Sequence, residues 1–213
     1  MDKHLKGIIF DWGNVLGLFS HEKVHRKLAE HCPLSPEDIK KALTSPMQKH
    51  ESGALSQREF YIEVRQQLQL TLSYEEFLSV WRSCILGDNP EIGDVLRRLD
   101  PLVPICILSN TDPIHWEAVG ALPVVRRFFN ERRIVRSYDL HVLARKPDPK
   151  TFRAALSCIG VPPLQTHQVL FIDDVAENCD AFRTMGGRAH QYNLNTDPVT
   201  TLTAELQRLG AIQ

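Results

Sequence analysis

Nothing in this sequence is apolar for long enough to cross a bilayer. The stretch from Gly7 to Phe10 runs straight into Asp11, far short of the roughly 20 residues a spanning helix needs or of a secretory h-region. Net charge is equally scarce: 25 basic and 26 acidic side chains cancel to -1. Such a balance gives no electrostatic footprint for nucleic acid or an anionic membrane, which makes a small substrate the expected partner. Cysteine is sparse too. Cys32, Cys84, Cys106, Cys158 and Cys179 are odd in number and form no CxxC pair, which argues against a disulfide framework or zinc ribbon and fits reduced thiols in a cytoplasm. Internal repeats and low-complexity segments are absent as well.

What is present is a chain of 213 residues, 43% hydrophobic, enough for one large domain or for a core with a modest insertion. Apolar runs with strand character cover Gly7 to Phe10, Pro104 to Leu108, Arg133 to Val135 and Val169 to Ile172. The later runs alternate with helical patterns, which predicts an α/β fold with a parallel, Rossmann-like sheet covered on both faces. Ligands of such sheets collect at the carboxyl ends of the strands, where Asp11, Ser109 and Asp173 stand.

The first two strands lie roughly ninety residues apart, far more than a crossover helix needs. Helices are expected at His21 to His31, Pro36 to Leu43, Gln57 to Leu70 and Tyr74 to Leu86. Ser35 before Pro36, and Ser56 three residues before Glu59, supply N-cap signals. The expected organisation is a core of residues 1–17 and 88–213 with an inserted four-helix cap, 18–87, standing over the strand ends.

The residues at those ends make a chemically useful set. Asp11 follows the first strand, Ser109 and Asn110 the second, and Asp173 with Asp174 the last, while Lys146 precedes Pro147 in a loop. Carboxylates gathered at one sheet edge repel each other unless a cation sits among them, and oxygen-only ligands favour Mg²⁺. A carboxylate beside Mg²⁺, with a lysine and a hydroxyl near, can attack a phosphoryl group. Singly, each residue reads as a helix cap, a turn former or a loop.

In order, Ile9-Phe10-Asp11-Trp12-Gly13-Asn14-Val15-Leu16, Leu108-Ser109-Asn110-Thr111, Arg145-Lys146-Pro147-Asp148-Pro149 and Phe171-Ile172-Asp173-Asp174 resemble the motifs of the haloacid dehalogenase-like superfamily across nearly the whole chain. The resemblance implies Asp11 as nucleophile and Mg²⁺ ligand, the Gly13 carbonyl as a second ligand, and Asp173 with Asp174 completing the metal site. It further implies that Ser109 and the Asn110 N–H hold phosphoryl oxygens, that Lys146 neutralises charge shared with Asp11, and that Asn178 supports the acidic pair. Trp12 and Asn14 lie in the same loop, with Trp12 either shaping the entrance or packing on the cap. The implied activity is hydrolysis of a small phosphorylated metabolite through an aspartyl-phosphate.

The pattern is broken in places. Phosphatases of the superfamily usually carry an acid/base aspartate two residues after the nucleophile, and here that position is Gly13. Losing a positioned proton donor forfeits ~10²–10⁴ in rate. One reading is an enzyme for better leaving groups, or one that borrows an acid. The Phe-Asp-x-Gly-Asn-Val form and the stretch Glu51 to Ser56 resemble a subgroup that includes α-glucose-1-phosphate phosphatases. A second reading is a catalytically weakened chain that binds phosphorylated ligands or a partner. A third is dehalogenation, which needs no Mg²⁺ and leaves the Asp173-Asp174 pair without a purpose. His141 stands where the loop before Lys146 usually has glycine, which leaves the direction of Lys146 open. His21-Glu22-Lys23-Val24-His25 matches the zinc pattern HExxH. It reads better as a polar cap helix, from which His21, Glu22 or His25 could stand in for the missing acid. The arginines between Arg126 and Arg136 read as a solvated helix end rather than an anion site.

Overall fold

A computed structural model describes residues 5–212. Its strands are β1 (Gly7–Phe10), β2 (Gly17–Phe19), β3 (Ile85–Asp88), β4 (Ile105–Ser109), β5 (Ile134–Arg136), β6 (Val169–Asp173) and β7 (Arg188–Gln191). Five of them form a parallel sheet ordered β5-β4-β1-β6-β7. Every residue of β1 and β6 is buried, because helices cover both faces; that is why these strands read as unbroken apolar runs rather than alternating ones. The expected strands all appear, shifted by a residue or so at their ends. β7 is an addition: its sequence, Arg-Ala-His-Gln, carries no apolar signal, and it exists as the edge partner of β6.

Between β1 and β4 lie α1 (His21–Ala29), α2 (Pro36–Glu51), α3 (Gln57–Leu68) and α4 (Tyr74–Arg82). They share an apolar cluster, joined by Ile114 from later in the chain, in which Phe60, Phe77 and Trp81 are fully buried. Ser35 caps α2, and Ser56 with Glu59 closes a capping box on α3. Ser73 and Glu76 make a second, unexpected box on α4. Two helix ends differ from expectation by more than two residues. The helix expected to end at Leu43 continues through Pro46 to Glu51. The helix expected to reach Leu86 stops at Arg82, and Ile85 onward turns into β3.

β3 pairs antiparallel with β2, so the chain leaves and re-enters the core through one short ribbon. Gly17 in that ribbon lies under the Trp12 indole, where an added Cβ would come within 2.2 Å of the ring. Gly17→Ala should therefore cost about 1–3 kcal/mol, read as a lowered thermal midpoint; an unchanged midpoint would show that the indole can move aside.

The sheet's helices follow in order: α5 (Ile92–Arg97), α6 (Pro113–Val119), α7 (Pro123–Phe128), α8 (Pro149–Cys158), α9 (Ala176–Thr184) and α10 (Val199–Arg208). The cysteines are all free thiols. No described helix is long and apolar enough to cross a membrane.

Candidate active site

The backbone brings the motif residues together because parallel strands end at one edge. β1 runs into Asp11, whose N–H donates to the Ile172 carbonyl of neighbouring β6 at 2.8 Å. Ser109 ends β4 and Asp173 ends β6. Asn14, in the left-handed region at φ 53°, turns the loop after β1 so that its amide donates to Asp174 Oδ2 at 3.1 Å. Asp11, Asp173 and Asp174 each offer an oxygen within 4.8 Å of the others, the one such convergence of His, Cys, Asp or Glu among the described residues.

Lys146, 2% exposed, sits among them. Its Nζ lies 2.8 Å from Asp11 Oδ1 and 2.5 Å from Asp173 Oδ2, which fixes the direction the sequence had left open. Residue 141 takes φ 53°, the left-handed backbone that a glycine would adopt freely. Asn110 also makes a contact that its motif does not imply. Its side chain accepts from the Lys146 N–H at 2.7 Å and donates to the Lys146 carbonyl at 3.0 Å, clamping the lysine's backbone onto the end of β4. No sequence signal announces a bond between residues 36 positions apart.

Asp173 is the most heavily hydrogen-bonded of the three carboxylates. It accepts from Lys146, from the Asn178 amide at 3.0 and 3.2 Å, and from the Val175 N–H at 2.8 Å. Asp11 Oδ2, the Gly13 carbonyl and the Ser109 hydroxyl have no hydrogen-bond partner among the described residues. Burial, then Asp173 and Asp174, push the Asp11 carboxyl up to about 7 against the pull of Lys146. Asp174 is raised too, chiefly by burial. Burial would lower Lys146, but Asp11 and Asp173 outweigh it and hold the ammonium above its ordinary range. One lysine thus faces three carboxylates, and the unused oxygens suit a hard divalent cation.

These residues line a pocket of about 290 Å³, near the small end for ligand sites. Trp12 and Asn14 line it as well. Trp12 is nonetheless buried and packs edge-on against Phe19, so packing is its main contact.

The opposite wall comes partly from the cap, through His21 and Glu51, and partly from His115 and Arg145 of the core. Of the residues considered for the missing acid, Glu22 is exposed and pairs with Arg26, and His25 stacks on His21 but lines a separate depression. Only His21 reaches the pocket. The HExxH pair gathers no third ligand among the described residues. The expectation for the arginine segment also has a local answer at one residue: Arg136 pairs with Glu131 and Asp139.

A buried network behind this wall leaves little trace in the sequence. Asp112, 1% exposed, caps α6 by accepting from the Ile114 and His115 N–H groups. It also accepts from Trp81 Nε1 at 3.1 Å, lies 2.7 Å from His115 Nδ1, and faces His50 Nε2 at 3.6 Å. His115 Nε2 meets the Trp81 carbonyl at 3.1 Å, so both ring nitrogens face acceptors, which fits an imidazolium. Burial opposes that charge, but Asp112 outweighs it and raises His115 well above its ordinary value. The one local hint is the N-cap pair Asp112-Pro113, three residues after Ser109.

Known proteins share this arrangement of sheet and cap. A family model described as haloacid dehalogenase-like hydrolase matches residues 5–186. A Mycobacterium tuberculosis protein named as a phosphatase is 25% identical over 98% of this chain and 96% of its own length. Among solved structures, a predicted HAD-like hydrolase from Porphyromonas gingivalis superposes with TM-score 0.80 at 23% identity, over 95% of this chain and 98% of the other. A HAD family enzyme from Bacteroides thetaiotaomicron, crystallised with magnesium and inorganic phosphate, gives TM-score 0.77 at 22% identity, over 92% and 98%.

Proposed function

The chain belongs to the haloacid dehalogenase-like hydrolase family, and from that premise we propose that it is a Mg²⁺-dependent phosphatase of a small phosphorylated metabolite, working through an aspartyl-phosphate on Asp11. The observation that carries this reading is the pairing of a buried, lysine-held carboxylate, whose second oxygen is free, with a free hydroxyl at Ser109 in the same pocket. The Mycobacterium relative's name and the magnesium and phosphate in the Bacteroides structure support it.

Asp11, Asp173, Asp174 and the Gly13 carbonyl would hold Mg²⁺, which when bound neutralises phosphoryl charge beside the nucleophile. Lys146 does the same from the other side while favouring the ionised form of Asp11 and aiming it. Ser109 and the Asn110 N–H bind phosphoryl oxygens. Asp11 attacks phosphorus and the leaving group departs; water then attacks the aspartyl-phosphate and releases inorganic phosphate, restoring Asp11. Asn178 holds Asp173, and Asn14 holds Asp174. Residues 18–87 act as a cap that excludes bulk water during both steps.

The cavity fits a substrate the size of a sugar phosphate. The test is a panel of acyl phosphates, sugar 1-phosphates and sugar 6-phosphates with Mg²⁺. Release of phosphate, lost on adding a chelator, is the expected result. The open position at Gly13 favours one second reading, a weakened phosphate-ligand binder; binding of panel members with no phosphate release would replace the proposal with it. Chloride release from a 2-haloacid would move the activity to dehalogenation.

A further inference from the structure

The core has no side chain beyond glycine where an acid/base group would stand. A Cβ built on Gly13 meets Asp11 Oδ2 at 3.9 Å and nothing else within 4 Å. The space beside the nucleophile is therefore open to a leaving group, and the proton it needs must come from elsewhere on the pocket wall.

The titratable groups of that wall can be taken in turn. Lys146 is committed to Asp11 and Asp173. Asp174 belongs to the carboxylate group. His115 has both ring nitrogens engaged behind the wall. Glu177 is exposed at the rim. His21 reaches the pocket, but burial, then the neighbouring His115, lower it to about 4, so it carries no proton to give at neutral pH. Glu51 remains.

Glu51 is the last residue of α2 and is buried, 8% exposed. Arg145 Nε donates to its Oε2 at 2.8 Å, while Oε1 has no partner among the described residues. Its position is fixed on both sides. The preceding His50 bonds the Leu55 carbonyl through Nδ1 at 3.0 Å and faces Asp112 of the core. The turn after it passes so close to the core that a Cβ on Gly53, at φ +79°, would come within 2.6 Å of the Tyr138 carbonyl oxygen.

We propose that Glu51, supplied by the cap and held by Arg145, is the catalytic proton donor and acceptor that the core lacks at Gly13. The inference rests on the phosphatase reading above. In the first step Asp11 forms a bond to phosphorus, the bond from phosphorus to the leaving oxygen breaks, and the Glu51 carboxyl passes its proton to that oxygen. In the second, water attacks phosphorus, its proton returns to Glu51, and the bond to Asp11 breaks. Each cycle leaves both carboxyl groups as they began. Burial, which raises Glu51 against the pull of Arg145 with Asp112 adding to the rise, favours the protonated start, and Arg145 receives the anion when the proton leaves. Because Glu51 stands on the cap, proton transfer is available only with the cap seated.

The experiment compares wild type, Glu51→Gln and Glu51→Asp, each as the full chain with Mg²⁺, on a hexose 1-phosphate and on 4-nitrophenyl phosphate, by rapid quench and steady state. Glutamine keeps an acceptor for Arg145 but cannot exchange a proton. Its kcat on the hexose phosphate should fall ~10²–10³-fold with little change in KM. On the aryl ester, whose leaving group needs no proton, it should release about one equivalent of nitrophenolate in a burst and then stall at hydrolysis of the aspartyl-phosphate. Glu51→Asp should recover part of the rate. Equal loss on both substrates with no burst, a KM increase alone, or full activity would overturn the assignment. Wild type that phosphorylates Asp11 with neither ester would overturn the phosphatase reading and this inference with it, and that result is seen before any variant is made.

Discussion

Asp11→Asn should lower turnover by ~10⁴–10⁶-fold, the range found when an enzyme loses its nucleophile or an essential partner of it, and should make the metal-free protein more stable. The two effects have one cause. Asp11 is packed with Asp173 and Asp174 against a single lysine, an arrangement useful for chemistry and unfavourable for folding. Burial and the neighbouring carboxylates raise its folded value from 3.8 to about 7, so the native state keeps a proton that the unfolded chain has released. Stability from this group is present below about pH 4 and is lost as pH rises toward 7. Asparagine has no proton to lose, and the slope disappears. In chelator at pH 8 the variant should gain at least ~1 kcal/mol, roughly 2–4 °C in thermal midpoint, and the gap should close at pH 4. With Mg²⁺ the order should reverse, since the wild type gains a ligand-bound state the variant cannot match. Retained turnover, or a variant less stable than wild type in chelator at pH 8, would remove residue 11 from the role assigned to it.

What the sequence revealed follows from how local each signal is. Strand ends carrying Asp11, Ser109 and Asp173 could be read because a buried parallel strand writes a short apolar run and its exit residue follows directly. Cap helices could be read from serines at their starts. Their ends were harder. α2 runs past Pro46, which is buried, and packing outweighs the bond it cannot make. β2 and β3 are three and four residues long, too short to show a period, and exist because each offers the other a partner.

The functional details that escaped are those joining distant parts of the chain. Glu51 drew notice only as part of a family-like stretch, since nothing near it announces Arg145, 94 positions away. Asp112 looks like an ordinary helix cap, which it is; its contacts with Trp81 and His50 depend on how the cap lies on the sheet. The same contacts seat Glu51 over the pocket, so the network that holds the cap also sets the geometry of the proposed proton transfer.

Lys146→Met tests the other half of the site's electrostatics. The ammonium is buried to 2% exposure between two carboxylates and also lies 5.5 Å from the Phe171 ring centre. Methionine matches much of the stem's volume and leaves Asp11 and Asp173 facing each other with no cation. Breaking a buried pair from one side costs about 3–5 kcal/mol, and here two anions lose their partner. Unfolding in chelator should show a loss of this order, which Mg²⁺ should repair in part, so the stabilisation by Mg²⁺ should be larger in the variant than in wild type. Turnover should still fall ~10²–10³-fold at saturating Mg²⁺, the usual effect of removing one preorganised charge from a transition state. Lys146→Arg should not rescue it. Asn110 holds the backbone at both the N–H and carbonyl of residue 146, so the wider guanidinium cannot retreat to make room. Equal Mg²⁺ stabilisation in both proteins would mean that lysine and metal do not share the same carboxylates.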